Sequence, residues 1–224
     1  MHSLNVVFDA LPAILAGSAV TVGNVILSLA MGMVLGVPMA LAQVYGAPWL
    51  RRLVGFYVWF FRGVPILVLL FLFYGLFISL GLTNSFLICC IVLGATSTAY
   101  QSQIYRGAIQ SLPQGQLKAA LSLGMSERMG IATIIMPQAL RLSLPGFANE
   151  FSILLKDSAI CYVLGTQDIM ARASFIAART HEHLALFACA GLIYFVLTVV
   201  VLKLLGRLET RLQIPGYTGR EVAA

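Results

Sequence analysis

Five apolar stretches separated by short polar breaks run along this chain, at about residues 13–42, 66–80, 86–105, 131–155 and 184–205. At roughly 20 residues per crossing, the pattern predicts an all-α membrane protein of about five transmembrane helices, one domain covering residues 1–224. The first stretch is punctuated by Gly17, Gly23, Gly32 and Gly36, and the last two have the small-xxx-small spacing that lets helices approach closely. Residues 1–12 hold Asp9 and Pro12 but no lysine or arginine, which marks a short tail on the outer face. After a turn at residues 45–48, residues 49–61 are amphipathic and aromatic-rich, as in a segment lying in the interface. Arg62-Gly63-Val64-Pro65 breaks that segment before the second span; a snorkelling arginine beside a proline kink accounts for it structurally. Residues 81–85 form an uncharged outer turn, and residues 156–183 mix charged and polar groups as an outer loop with a short helix.

Polar residues interrupt two of the apolar stretches. The third turns polar at Thr96, Ser97, Thr98, Tyr100, Gln101, Ser102 and Gln103, and Thr96, Tyr100 and Gln103 share one helix face. Such groups need a partner helix or water, so this face is a candidate pathway lining, with interhelical hydrogen bonding as the alternative. The fourth is interrupted by Pro137 and Pro145 and contains Asn149 and Glu150. An ionised carboxylate in hydrocarbon must be paired, protonated or hydrated. Glu150 therefore either pairs with Arg141 or Lys156 to hold the fold, or meets the amino group or cationic side chain of a solute.

Composition supports membrane insertion and narrows the chemistry. The chain is 60% hydrophobic and 10% charged, with a mean hydropathy of +0.94, which excludes a soluble domain. Its net charge of +6 comes without a basic run or aromatic-basic interleaving, so no nucleic-acid partner is expected. Arg51, Arg52, Arg106, Lys118, Arg128, Lys203, Arg207, Arg211 and Arg220 instead place their segments in the cytoplasm, giving an outer N-terminus and an inner C-terminus. No charged region precedes the first apolar stretch, so the first span itself serves as the insertion signal. Cys89, Cys90, Cys161 and Cys189 lack metal-ligand spacing and read as small core residues. His181-Glu182-His183 lacks the second histidine of HExxH, and its histidines, two apart, would not share a helix face, so no metal site is expected. Lys118, Lys156 and Lys203 each follow leucine, so no phosphate-cradling G-x-x-x-x-G-K-[ST] loop exists here. Any ATP must be handled by another polypeptide.

The longest polar segment, SLPQGQLKAALSLGMSERMGIATIIMP from Ser111 to Pro137, lies between the third and fourth apolar stretches. Ser111 can cap a helix with Gln114 completing a capping box and Pro113 in the first turn. Gly124 is placed to end that helix in a left-handed cap, and Ser126 to start the next. Ala119, Ala120 and Gly124 carry little side chain, so another protein could approach this backbone closely; a plain amphipathic connector is the alternative.

Lys118-Ala119-Ala120, three residues, Gly124, nine residues and Ile134-Ile135-Met136-Pro137 resemble the EAA signature of importer-type ABC permeases. Lys118 stands where that family usually has Glu, and Met136 where it has Leu. Phe61-Arg62-Gly63-Val64-Pro65 resembles the F-R-G-x-P of the polar amino acid branch, and residues 99–107 its A-Y-x-x-E-x-x-R-G, with Gln103 in place of Glu. The run from Pro137 to Arg141 and that from Asn149 to Ser158 resemble the same branch. The resemblance implies a type I ABC importer-like permease whose loop, about residues 107–137, is a cytoplasmic coupling helix seated in an ATPase, with Lys118, Ala119, Ala120, Gly124 and Pro137 as coupling residues. It further implies two ATP-binding subunits using ATP and magnesium, a second permease subunit, identical or paralogous, and an extracytoplasmic amino acid-binding protein in a prokaryotic cytoplasmic membrane. This chain would bind no cofactor and catalyse no reaction, and its solute pathway would involve Thr96, Ser97, Tyr100, Gln103, Asn149 and Glu150. A non-transporting scaffold that recruits a cytoplasmic partner, and a gradient-driven carrier, are the alternatives.

Overall fold

A computed structural model describes residues 2–212, and these form helices joined by short breaks. In chain order they are α1 (His2–Tyr45), α2 (Pro48–Gly63), α3 (Ile66–Ser79), α4 (Ser85–Ser111), α5 (Gly115–Ser122) and α6 (Glu127–Gly130). A π-helical turn (Ile131–Ile135) leads into α7 (Met136–Leu142) and α8 (Leu144–Asp157), followed by a 3-10 turn (Ser158–Leu164), α9 (Ile169–Thr180) and α10 (His183–Leu212). Three of these helices, α1, α4 and α10, are long and apolar enough to cross a bilayer unaided. Two bent pairs bring the number to as many as five where each pair counts as one span: α2 with α3, bent by 110°, and the run Glu127–Leu142 with Leu144–Leu164, bent by 51°. With 14 residues α3 is about 21 Å long, shorter than a roughly 30 Å hydrocarbon layer, and the 110° turn folds α2 back beside it.

The breaks have chemical causes. Pro65 removes a helix donor and holds the residue before it extended, Val64 at φ −100° and ψ 132°, which separates α2 from α3. Pro137 and Pro145 both sit at the first turns of helices, α7 and α8, where the missing N–H is tolerated. The π-helical turn immediately before Pro137 absorbs the mismatch in the hydrogen-bond ladder.

The centre of the molecule is the packing of α1 along α4. A Cβ on Gly32 would run into the Gln101 side-chain amide, and one on Gly36 would come within 3.2 Å of the Ser102 backbone nitrogen. The small-residue pair predicted for close approach is therefore where α4 seats. Buried hydrophobics of α1 to α4, α8 and the 3-10 turn, among them Leu69, Leu70, Ile88, Leu93, Leu154 and Leu155, make one core. Much of the remaining apolar surface faces outward: Val34 on α1 is 70% exposed, and α10 carries exposed Leu192, Phe195 and Val196. Such faces suit lipid or a neighbouring helix.

Three expectations about the connections need correction. Residues 2–12 are not a tail, since α1 begins at His2 and buries Ala10 and Ile14 against α9 and α10. Residues 156–183 do contain the expected short helix, α9, but are not a loop over the surface: Cys161 and Leu164 enter the core, and α9 lays Ile169, Ala173 and Ala177 against α1. A Cβ on Gly17 would meet the Asp168 backbone at 2.7 Å, and Thr21 Oγ1 accepts a hydrogen bond from the Ile169 amide at 3.3 Å. His181, φ 60°, closes α9 in the left-handed region, and His183 opens α10. The third correction concerns Ser111, which caps nothing: α4 extends through it, and its hydroxyl donates to the Ala108 carbonyl at 2.8 Å. Arg220, counted in the basic tail, lies outside the described residues.

Candidate solute cavity and coupling loop

The polar half of α4 faces two neighbours and therefore does two jobs. Toward α1 it is fully packed: Gln101 donates to the Leu29 carbonyl at 3.1 Å and to Ser97 Oγ at 3.0 Å, and accepts from the Tyr105 hydroxyl at 3.0 Å. Ser97 Oγ passes the chain on, donating to Glu150 Oε1 at 2.9 Å. A buried carboxylate is thus fixed in place by a hydroxyl that is itself fixed. Glu150 is 3% exposed, and its other oxygen has no hydrogen-bond partner among the described residues. Neither Arg141 nor Lys156 forms an ion pair with it there, so the fold-holding pair weighed from the sequence is not made.

Toward α8 the same helix borders a cavity of about 370 Å³ lined by Arg62, Tyr100, Gln103, Ile104, Gly146, Asn149, Glu150 and Ile153. That volume falls among small-molecule sites, roughly 300–1,000 Å³. Gly146 keeps the wall thin, because a Cβ there would press on Ile104 at 2.7 Å. The Arg62 guanidinium lies over the Tyr100 ring, 4.9 Å from its centroid, a cation-π contact that holds the charge at the rim. Cation and carboxylate face one space without pairing to each other.

Four of the six residues predicted to line a pathway, Tyr100, Gln103, Asn149 and Glu150, do meet in this cavity. Ser97 stands behind Glu150 as its positioning hydroxyl. Thr96 does not line the cavity; its hydroxyl is spent on the Val92 carbonyl one turn back, at 3.0 Å. Arg62, which the sequence offers as a snorkelling residue or as part of the F-R-G-x-P run, joins the site because the 110° bend after α2 carries it back over α4.

At the other end of α4 the loop forms helix, break, helix as anticipated. Gly124 adopts φ +83°, and the Met125 amide donates to the Ala120 carbonyl at 3.1 Å, closing α5. Ser126 caps α6, its hydroxyl accepting from the Met129 amide at 3.3 Å, a contact worth about 1 kcal/mol. Helix α5 itself starts at Gly115 without a side-chain cap. The two alanines part company: Ala119 faces outward, whereas Ala120 is 2% exposed and packs on Gly130, where an added Cβ would come within 3.4 Å. Ala120 is small so that α5 can close on α6. The outward surface is Lys118, Ala119, Leu121, Leu123 and Gly124, with Leu123 84% exposed. Pro137 is also exposed, at the start of α7.

A physical link joins the loop to the cavity. Gln116 on α5 and Gln138 on α7 exchange amide hydrogen bonds at 3.1 and 2.8 Å, and Gln138 also donates to the Ile134 carbonyl at 2.7 Å. Beyond the bend at Ser143, α8 carries Asn149 and Glu150. This glutamine pair left no signal in the sequence, because two amides 22 positions apart announce nothing until α5 folds back.

The family model described as "Binding-protein-dependent transport system inner membrane component" matches residues 32–214. The chain belongs to that family. This permease is 34% identical over 203 residues to an arginine transport system permease protein of Bacillus subtilis, covering 90% of this chain and 92% of the relative. It is 33% identical over 207 residues to an octopine transport system permease protein of Rhizobium meliloti, with 88% and 84% covered. Its fold matches a crystal structure of an amino acid ABC transporter with histidines at a TM-score of 0.83 and 32% identity, covering 91% of the permease and 96% of that chain. The permease is therefore of the type I ABC importer kind, as its EAA-like loop implied, and in the amino acid branch, as the runs at residues 61–65 and 99–107 implied.

Proposed function

We propose that the chain is the membrane-spanning subunit of an ATP-driven importer that moves a polar amino acid across the cytoplasmic membrane by alternating access. The observation that carries this reading is the cavity with Arg62 and Glu150 on its walls, unpaired to each other. A zwitterion supplies what each lacks, a carboxylate for the guanidinium and an ammonium for the carboxylate. Tyr100, Gln103 and Asn149 offer polar contact to the remainder, while Ser97 keeps Glu150 aimed.

In this reading the face formed by Lys118, Ala119, Leu121, Leu123 and Gly124 docks on a cytoplasmic ATPase subunit, which binds and hydrolyses ATP with magnesium. Movement of α5 reaches the cavity through the Gln116–Gln138 pair, α7 and the bend into α8, so ATP-driven closure of two ATPases swings the walls as rigid bodies. Pro137 lies in the first turn of α7, on that lever. One bundle of about five crossings encloses little space, so a second permease subunit, identical or paralogous, faces it. An extracytoplasmic binding protein delivers the amino acid. The lysines and arginines at the α5 end support a reading with that end and the C-terminus inside and the N-terminus outside.

Vesicles reconstituted with the permease, its ATPase and its binding protein test the proposal. Amino acid accumulation should require internal ATP and persist when ionophores collapse every ion gradient. Uptake that follows an ion gradient without ATP would make the chain a carrier, and no uptake with intact partner recruitment would make it a scaffold.

A further inference from the structure

We infer that the cavity selects amino acids whose side chains are uncharged or anionic and turns away cationic ones, with Gln103 and Arg106 setting the preference. This rests on the proposal that the cavity binds an amino acid. The cavity has one cation and one anion on its walls, Arg62 and Glu150. The α-carboxylate and α-ammonium of a bound amino acid use both. What remains for the side chain is Tyr100, Gln103, Ile104, Gly146, Asn149 and Ile153, with no second carboxylate among them.

Behind Gln103 the field is positive. Arg106, one turn further along α4, donates from Nη1 to Gln103 Oε1 at 3.3 Å, and its Nε is buried without a hydrogen-bond partner. Gln103 in turn is tied to α1, donating to Gln43 Oε1 at 2.8 Å. Among the described residues no carboxylate pairs with Arg106. Of the other charges on α8, Asp157 lies two turns beyond Glu150 with Lys156 beside it to offset it. A cationic side chain entering next to Gln103 would meet this excess with nothing to neutralise it. An anionic side chain gains from it, and a carboxamide can bond to Gln103 or Asn149. The relative named for arginine transport is thus named for a substrate whose side chain this cavity opposes.

The test is equilibrium binding of radiolabelled glutamine, glutamate and arginine to the permease–ATPase complex in lipid nanodiscs, with the binding protein left out so that its own selectivity does not intrude. The native complex should bind glutamine and glutamate at least about tenfold more tightly than arginine, the scale of one charge–charge contact at a partly buried site. Gln103→Glu and Arg106→Gln each lower the local charge by one, by opposite chemical routes, and both should narrow the gap about tenfold. Arg106→Gln retains an amide donor to Gln103, so a preference lost through charge is separable from one lost through distortion. Native binding of arginine as tight as glutamine would overturn the inference while leaving the amino acid site standing, as would variants that leave the ratio unmoved or shift it in opposite senses. Binding of none of the three would remove both.

Discussion

Glu150→Gln should reduce amino acid uptake about thirtyfold or more while the chain still folds and still holds its ATPase. The substitution preserves shape and leaves an oxygen for the Ser97 hydroxyl, so the hydrogen-bond chain from Leu29 through Gln101 and Ser97 remains closed. It removes the negative charge that faces Arg62 across the cavity. Removing one partner of a desolvated charge contact costs about 2–5 kcal/mol, and 1.4 kcal/mol is a factor of ten. On the proposed function the lost contact is one made to the solute, so the loss belongs in uptake kinetics and in binding, with no change in the amount of assembled complex. Initial-rate uptake by reconstituted vesicles, alongside co-purification of the ATPase, measures both. Unaltered kinetics with normal assembly would exclude Glu150 from the solute path.

The second large effect is expected at the other end of the α4–α8 unit. Leu123→Asp should weaken the hold on the ATPase about a hundredfold or more and leave the chain's own fold intact. Leu123 is 84% exposed at the break between α5 and α6, so it contributes almost nothing to internal packing. Burial of a leucine against a partner is worth about 1.5–3 kcal/mol, and an unpaired carboxylate forced into the same contact adds a desolvation cost. Affinity between the purified variant and its ATPase, with the variant's thermal stability as control, reads the two parts separately. Undiminished affinity would mean that the partner does not sit on this surface, whatever Lys118 and Ala119 beside it do.

How much of this was legible in the sequence depended on whether the cause of a feature is local. Gly124 at φ +83° and Ser126 capping α6 are set by their neighbours, and both were readable. The apolar length of α4 and α10 made them readable as crossings. Tyr100 and Gln103 came from helical spacing, and Asn149 and Glu150 from polarity inside an apolar stretch. A short helix in residues 156–183 was readable, but not the burial of α9, because Arg172 and Arg179 give it a polar character that masks Ala173 and Ala177, which only α1 explains. Thr96 shares the spacing of Tyr100 and Gln103 yet does not line the cavity, because a threonine can bond its own helix as readily as a solute. Ala120 looked like a docking residue, yet its size answers to Gly130. Arg62 needed the 110° turn to reach Tyr100, and no local signal states where a bent chain will return.

The most direct test is to locate the amino acid itself. In a structure of the complete permease–ATPase assembly soaked with a saturating amino acid, density should fill the space between α4 and α8, its carboxylate end at Arg62 and its ammonium end at Glu150. An amino acid bound elsewhere along the assembly, with this cavity occupied by side chains or lipid, would contradict the account.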